Sequence, residues 1–218
     1  MSSKLQQFID DKWLFNSFDL STKPIPDKTY NFGFNIATGG GDLFDYARQK
    51  VFNEKRIAID VFLPKKSREL DDILEGEIPK GIHSVVAIAD EFYTKNTNGK
   101  LRFFLRKEQR AKNIPIDYLQ KNDAIAVAVL EQDSPWLAAE YRSNGIIFMF
   151  KNAFVKGLAE AGLILSHELG HGIFGYGHHT PPRGCIMDFS SALELELCFA
   201  EQQKLESLVR GVHVSRPV

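Results

Sequence analysis

Residues 167–187 read HELGHGIFGYGHHTPPRGCIM and hold four of the chain's six histidines. His167 and His171 are four residues apart. At about 100° per helical residue they lie about 40° apart on one helix face, close enough for two neutral imidazoles to converge on one ion. Nitrogen donors of this kind suit zinc. Glu168 falls between the two histidines in angle, so its carboxylate can reach a water on that ion without taking a ligand position. A catalytic zinc keeps three protein ligands and leaves the fourth position to water, whose pKa it lowers toward about 7. A neighbouring carboxylate then serves as general base. On these five residues alone, an exposed polar helix face is the competing reading.

The continuation supplies the remaining parts. Gly175 tolerates the left-handed conformation that ends a helix and turns the chain back. His178 follows after two residues, and Met187 comes nine residues later within Cys185-Ile186-Met187.

With these residues in place, the sequence resembles the metzincin zinc endopeptidases. Their signature is H-E-x-x-H-x-x-G-x-x-H followed by a methionine-containing turn. His167, Glu168 and His171 match it, and Gly175 to His178 is similar to the segment that brings the third ligand. The resemblance implies a methionine, Met187, that packs under the ligands without binding zinc. Three residues, Gly172-Ile173-Phe174, separate His171 from Gly175, where the family has two. His178 keeps the family's Gly-x-x-His spacing and is the favoured third ligand, with His179 as the alternative. An added residue at the helix end can be absorbed as a bulge or extra half-turn.

Within the metzincins, CIMDFSSALELELCFAEQQKL (185–205) is most similar to archaemetzincins. That branch holds a second, structural zinc on four cysteines. This chain has only Cys185 and Cys198. His179 and Glu201 stand near two of the missing positions, so a mixed His179/Cys185/Cys198/Glu201 site is one reading. Two reduced thiols or one disulfide is the favoured one, and a second zinc is not expected. The resemblance covers about residues 160–205. It implies an α+β fold of zincin type: a twisted mixed sheet of about five strands, helices, a long active-site helix, and a small irregular C-terminal lobe. It also implies an extended peptide or protein substrate laid along an edge strand from within 124–150, with residues 188–193 walling the pocket beside the scissile bond.

The elements that must position these residues are legible from periodicity. Val155, Leu158, Gly162, Leu165, Leu169 and Ile173 recur every three or four residues, predicting a helix over about 154–174 with its apolar face on the sheet. The segments 29–37, 57–64, 84–93, 124–130 and 145–150 read as strands. Ser143-Asn144-Gly145 reads as a hairpin turn joining 137–142 to 146–150. Helices are expected at 2–15, 42–54, 68–74 and 199–210. TGGGD (38–42) precedes the second of these, but it lacks the G-K-[ST] of a phosphate loop and reads as a plain turn. No internal repeat or low-complexity segment interrupts this order.

The 218 residues suit one domain, with lobes at about 1–178 and 179–218. A hydrophobic fraction of 44% allows a sizeable core. A net charge of -1 gives no global attraction to nucleic acid or anionic lipid. The run KLRFFLRKEQRAK (100–112) carries six basic residues. It reads as a solvated face, with an anionic contact, and hence a nucleic-acid-dependent protease, as the weaker alternative. Two cysteines do not make a disulfide framework. No secretory leader or membrane span is evident, so the expected location is cytoplasmic and the expected state a monomer. No cysteine precedes Cys185, so an upstream thiol cannot cap the zinc. His83 and His213 lack a ligand-like context.

The expected activity is therefore zinc-dependent endopeptidase hydrolysis with Glu168 as base. A zinc hydrolase of non-peptide amides or esters, and a non-catalytic module stapled by metal, are the alternatives.

Overall fold

The computed structural model describes residues 56–174 with short gaps at 66–67, 76–80, 112–113, 116–117, 135–136 and 143–144, together with His178, residues 185–187 and Gln203. The elements expected at 2–15, 29–37, 38–42 and 42–54 lie outside the described residues. So do His179, Cys198, Glu201 and, apart from Gln203, the helix expected at 199–210.

Within the described residues, helices and strands are interspersed along the chain. The order is β1 (Arg56–Leu63), α1 (Arg68–Glu75), α2 (Ile82–Asn96), β2 (Arg102–Arg110), α3 (Tyr118–Asn122), β3 (Ile125–Leu130), β4 (Ala139–Arg142), β5 (Ile146–Phe150), a 3₁₀ turn (Lys151–Ala153) and α4 (Leu158–Phe174). The five strands form one mixed sheet in the order β2-β1-β3-β5-β4. The first four of these are mutually parallel and β4 runs antiparallel to β5. This is an α/β arrangement. The expectation of a mixed sheet of about five strands with helices holds, but the class is α/β where α+β was expected, because helices fill the connections from β1 to β2 and from β2 to β3, as parallel strands need crossover connections.

The central strand β3, IAVAVL, is buried at all six positions, as a strand covered on both faces must be. Alternate residues feed two cores. Ile57, Ile59, Val61, Val127, Val129, Ile147 and Met149 join the helical side. Ala58, Phe62, Ala126, Ala128, Leu130, Phe148 and Phe150 pack on the other with Tyr118 and Ile114. The hairpin is as the sequence predicts: Ala139 pairs with Met149 and Arg142 with Ile146. Gly145 takes the left-handed φ of 80° that closes it.

Two elements differ from expectation. The segment read as a strand at 84–93 is helix α2. Its buried residues Ile82, Val85, Val86, Ala89, Phe92 and Tyr93 follow a helical stripe, and the helix provides part of the crossover between the parallel β1 and β2. Conversely, the basic run is edge strand β2. Its arginines are held by aspartates: Arg102 by Asp90, Arg106 by Asp60 and Arg110 by Asp71. A charged edge of this kind discourages strand addition.

Helix α4 begins at Leu158, and Val155, expected on its apolar face, stands outside it and exposed. Leu158, Leu165 and Leu169 are buried as expected. At Gly162 the helix lies so close to α2 that a Cβ would sit 2.5 Å from Cβ of Ile88. The apolar face therefore packs on α2 as well as on the sheet. Tyr93 adds a polar tie, its hydroxyl donating to the Ser166 carbonyl over 2.8 Å. No helix among the described residues is long and apolar enough to cross a membrane.

Candidate metal centre

Helix α4 carries His167, Glu168 and His171, and the chain brings His178 back against them. The three Nε2 atoms form a near-regular triangle: His167 to His178 is 2.9 Å, His167 to His171 3.0 Å and His171 to His178 3.3 Å. Among the described residues this is the one group of three donors placed to hold a metal ion. At Zn–N bonds of about 2.0–2.1 Å, tetrahedral geometry puts nitrogens about 3.3 Å apart, so the triangle fits a zinc-sized ion.

Hydrogen bonding alone does not account for the triangle. His167 Nδ1 lies 2.5 Å from the Ile186 carbonyl oxygen, which can only accept, so the ring proton is on Nδ1. Its Nε2 then presents a lone pair to the other two nitrogens. A backbone carbonyl that fixes the tautomer in this way is a usual outer partner of a metal-ligating histidine.

The third position falls to His178, the favoured choice from spacing; the alternative, His179, is outside the described residues. The additional residue before Gly175 is taken up by the helix itself. Gly172, Ile173 and Phe174 are all helical, so α4 continues for most of a turn beyond His171 before the chain turns back.

Cys185, Ile186 and Met187 are buried at 1% exposure or less beneath the site. A Cβ at Gly170 would lie 2.5 Å from the Met187 sulfur, so glycine at this helical position is what lets the methionine close on α4. Gly170→Ala is expected to push residues 185–187 away and loosen the Ile186–His167 bond. The cost should be about 1–3 kcal/mol in stability, the usual effect of overpacking. Zinc affinity should also weaken, which chelator competition measures; unchanged affinity and stability would contradict the packing. Of the second group of donors proposed from sequence, only Cys185 is among the described residues; His179, Cys198 and Glu201 lie outside them.

Glu168 is 7% exposed, and its Oε2 accepts the main-chain N–H of Tyr141 on edge strand β4 at 2.7 Å. Burial pushes its carboxyl up to about 8; the Tyr141 N–H pulls it down, and the nearby charge of Glu140 adds to the rise. A cation on the three histidines would favour the ionised form. Glu140 is itself raised by burial, against the pull of Arg142, to which it is paired at 2.6 Å.

In metal-free protein the raised value has a consequence for stability. Between about 4.5 and about 8 the folded state holds a proton that the unfolded state has lost. Stability from this group is present at low pH and declines as pH rises through that window. Glu168→Gln removes the dependence. In chelator, its unfolding free energy relative to wild type should rise from pH 5 to pH 8 by on the order of a few kcal/mol. A difference that stays constant with pH in urea unfolding would refute this.

Sequence reasoning missed three of these contacts. The Tyr141 N–H and the Ile186 carbonyl are main-chain groups with no side-chain signature. Gly170 did carry a signal, since a glycine inside a helix often marks a close approach.

No protein-family model matches the chain, and no curated protein matches it in sequence. Among the solved structures similar to this chain is one described as the structure of a chaperone-substrate complex, at a TM-score of 0.42 and 12% identity over 73% of this chain. The match covers 35% of that chain, so this chain corresponds to about a third of it, and a likeness this slight carries nothing about function.

Proposed function

We propose that this chain is a zinc-dependent endopeptidase of metzincin type, with His167, His171 and His178 as ligands and Glu168 as general base. The observation that supports it most is the convergence of three Nε2 atoms within 3.3 Å of one another on a helix that also carries a buried carboxylate. Zinc at this site would polarise a substrate carbonyl and make a water acidic near neutral pH. The chain's own groups do the rest. The histidines present lone pairs, His167 with its tautomer held by Ile186. Glu168 accepts the water's proton and returns it to the leaving amine.

The site's position favours a peptide over a smaller amide or ester. Glu168 reaches the main chain of β4, the outer strand at one end of the sheet. An extended peptide can add to such an edge through main-chain hydrogen bonds. A metal staple without catalysis gives no reason to bury a carboxylate beside the ligands, since burial disfavours the charge.

Digestion of a proteome-derived peptide library by zinc-loaded protein, read by mass spectrometry, tests the reading. Internal cleavages that vanish in chelator and return with zinc are expected. A library left intact, alongside hydrolysis of small esters or amides, would move the activity to the non-peptide class.

A further inference from the structure

We infer that the main-chain N–H of Tyr141 is a positioning group for Glu168 and is closed to a bound peptide. The inference deepens the peptidase reading above and rests on it for its kinetic consequence.

The geometry of β4 makes the case. The Ala138 and Arg142 carbonyls accept from Phe150 and Gly145, both at 2.9 Å, so main-chain groups of even-numbered residues here face β5. Those of Ala139 and Tyr141 face the outer edge, as alternation in an antiparallel pair requires. An extended peptide adding to β4 would meet these two residues. Yet the Tyr141 N–H already donates to Glu168 Oε2 over 2.7 Å, in the range of a charge-assisted bond. Drawing it into a ladder would leave a carboxylate oxygen that is nearly out of solvent without its donor.

The bond also divides the carboxylate. Oε2 is fixed on the sheet, while Oε1 accepts no hydrogen bond among the described residues. Oε1 is then the oxygen that takes the proton, and the strand sets its direction. Peptide pairing on this side passes to Ala139. The same strand thus aims the base with one residue and receives substrate with another two positions away.

Amide hydrogen exchange on the zinc-loaded full chain tests the contact without any substrate. The Tyr141 amide should exchange slowly despite its place on the outer edge. In Glu168→Ala it should speed up about tenfold or more, while the Ile147 and Met149 amides of β5 keep their rates. Equal Tyr141 exchange in both proteins would overturn the inference.

The kinetic arm uses Tyr141→Pro, because an outward-facing edge position tolerates loss of its N–H. An amide-to-ester replacement at the same position serves if the proline variant does not fold. With a quenched-fluorescent peptide chosen from the library, kcat should fall about tenfold or more, with KM within about twofold. A raised KM with unchanged kcat would assign the N–H to substrate instead. A wild-type protein that cleaves no peptide, but shows the exchange difference, would sink the peptidase reading and leave the Glu168–Tyr141 anchor standing.

Discussion

Glu168→Gln is expected to lower peptide turnover about 10²–10⁴-fold, the usual contribution of a positioned general base, while zinc stays bound. Glutamine has nearly the same volume and keeps a carbonyl oxygen to accept the Tyr141 N–H. The three imidazoles, the Ile186–His167 bond and the packing of Met187 do not involve the lost charge. Fold and metal content should therefore match wild type. What disappears is the group proposed to take a proton from water, which an amide cannot do. KM should change little, because the residue acts on the chemical step. Turnover equal to wild type on any cleaved peptide would remove Glu168 from the mechanism. Loss of zinc together with activity would instead make it a support of the metal site.

The second large effect lies on the other face of the sheet and concerns stability alone. Asp60 is fully buried in β1, where the register with β2 shifts between Ile59 and Asp60. Leu105 pairs with Ile59 and Lys107 with Asp60, so Arg106 is the extra residue of the bulge. A bulge re-aims side chains, and here it brings Arg106 onto the carboxylate through Nε at 2.9 Å and through a second, shorter bond. The Tyr118 hydroxyl donates to the same group over 2.6 Å, and the Lys107 ammonium stands at 3.7 Å. Asp60→Ala leaves the hydroxyl of the buried Tyr118 without its acceptor, and a guanidinium without its counterion. Removing one partner of a buried pair costs about 3–5 kcal/mol. The Arg106 side chain is 37% exposed and can recover some hydration, so the lower end of that range is expected. Such a loss is a large fraction of the total stability of a domain, which is about 5–15 kcal/mol. Asp60→Asn keeps an acceptor for Tyr118 and should lose less. Urea unfolding of the two variants measures both, and a loss below about 1 kcal/mol for Asp60→Ala would contradict the account.

The site was more legible in the sequence than the fold around it. His167, Glu168 and His171 are readable because helical spacing turns a four-residue separation into one face. His178 follows from the turn that a glycine permits, while Met187 is singled out only by the resemblance to the metzincins. β1, β3 and β5 are short apolar runs bounded by polar residues, and the β4–β5 hairpin has its glycine at the turn. α2 was misread because SVVAIADEFY is rich in β-formers and apolar along most of its length. Its helical stripe matters only once α4 and the sheet supply a surface to cover. β2 reads as a solvated face because it is rich in charge, and Phe103 is its one buried residue. Its partners, Asp60, Asp71 and Asp90, are distant in sequence and come together only in the folded sheet. Periodicity has no access to such contacts, nor to main-chain donors such as the Tyr141 N–H.

His167, His171 and His178 are proposed to hold one metal ion. Metal analysis of protein loaded with zinc and then dialysed tests it directly, with His178→Ala and His179→Ala beside the wild type. Wild type and His179→Ala are expected to retain a single equivalent, and His178→Ala to lose most of it, because two remaining imidazoles cannot complete a three-ligand zinc site. Wild type that retains no zinc, or His178→Ala that retains as much as wild type, would show that these three histidines are not the metal site.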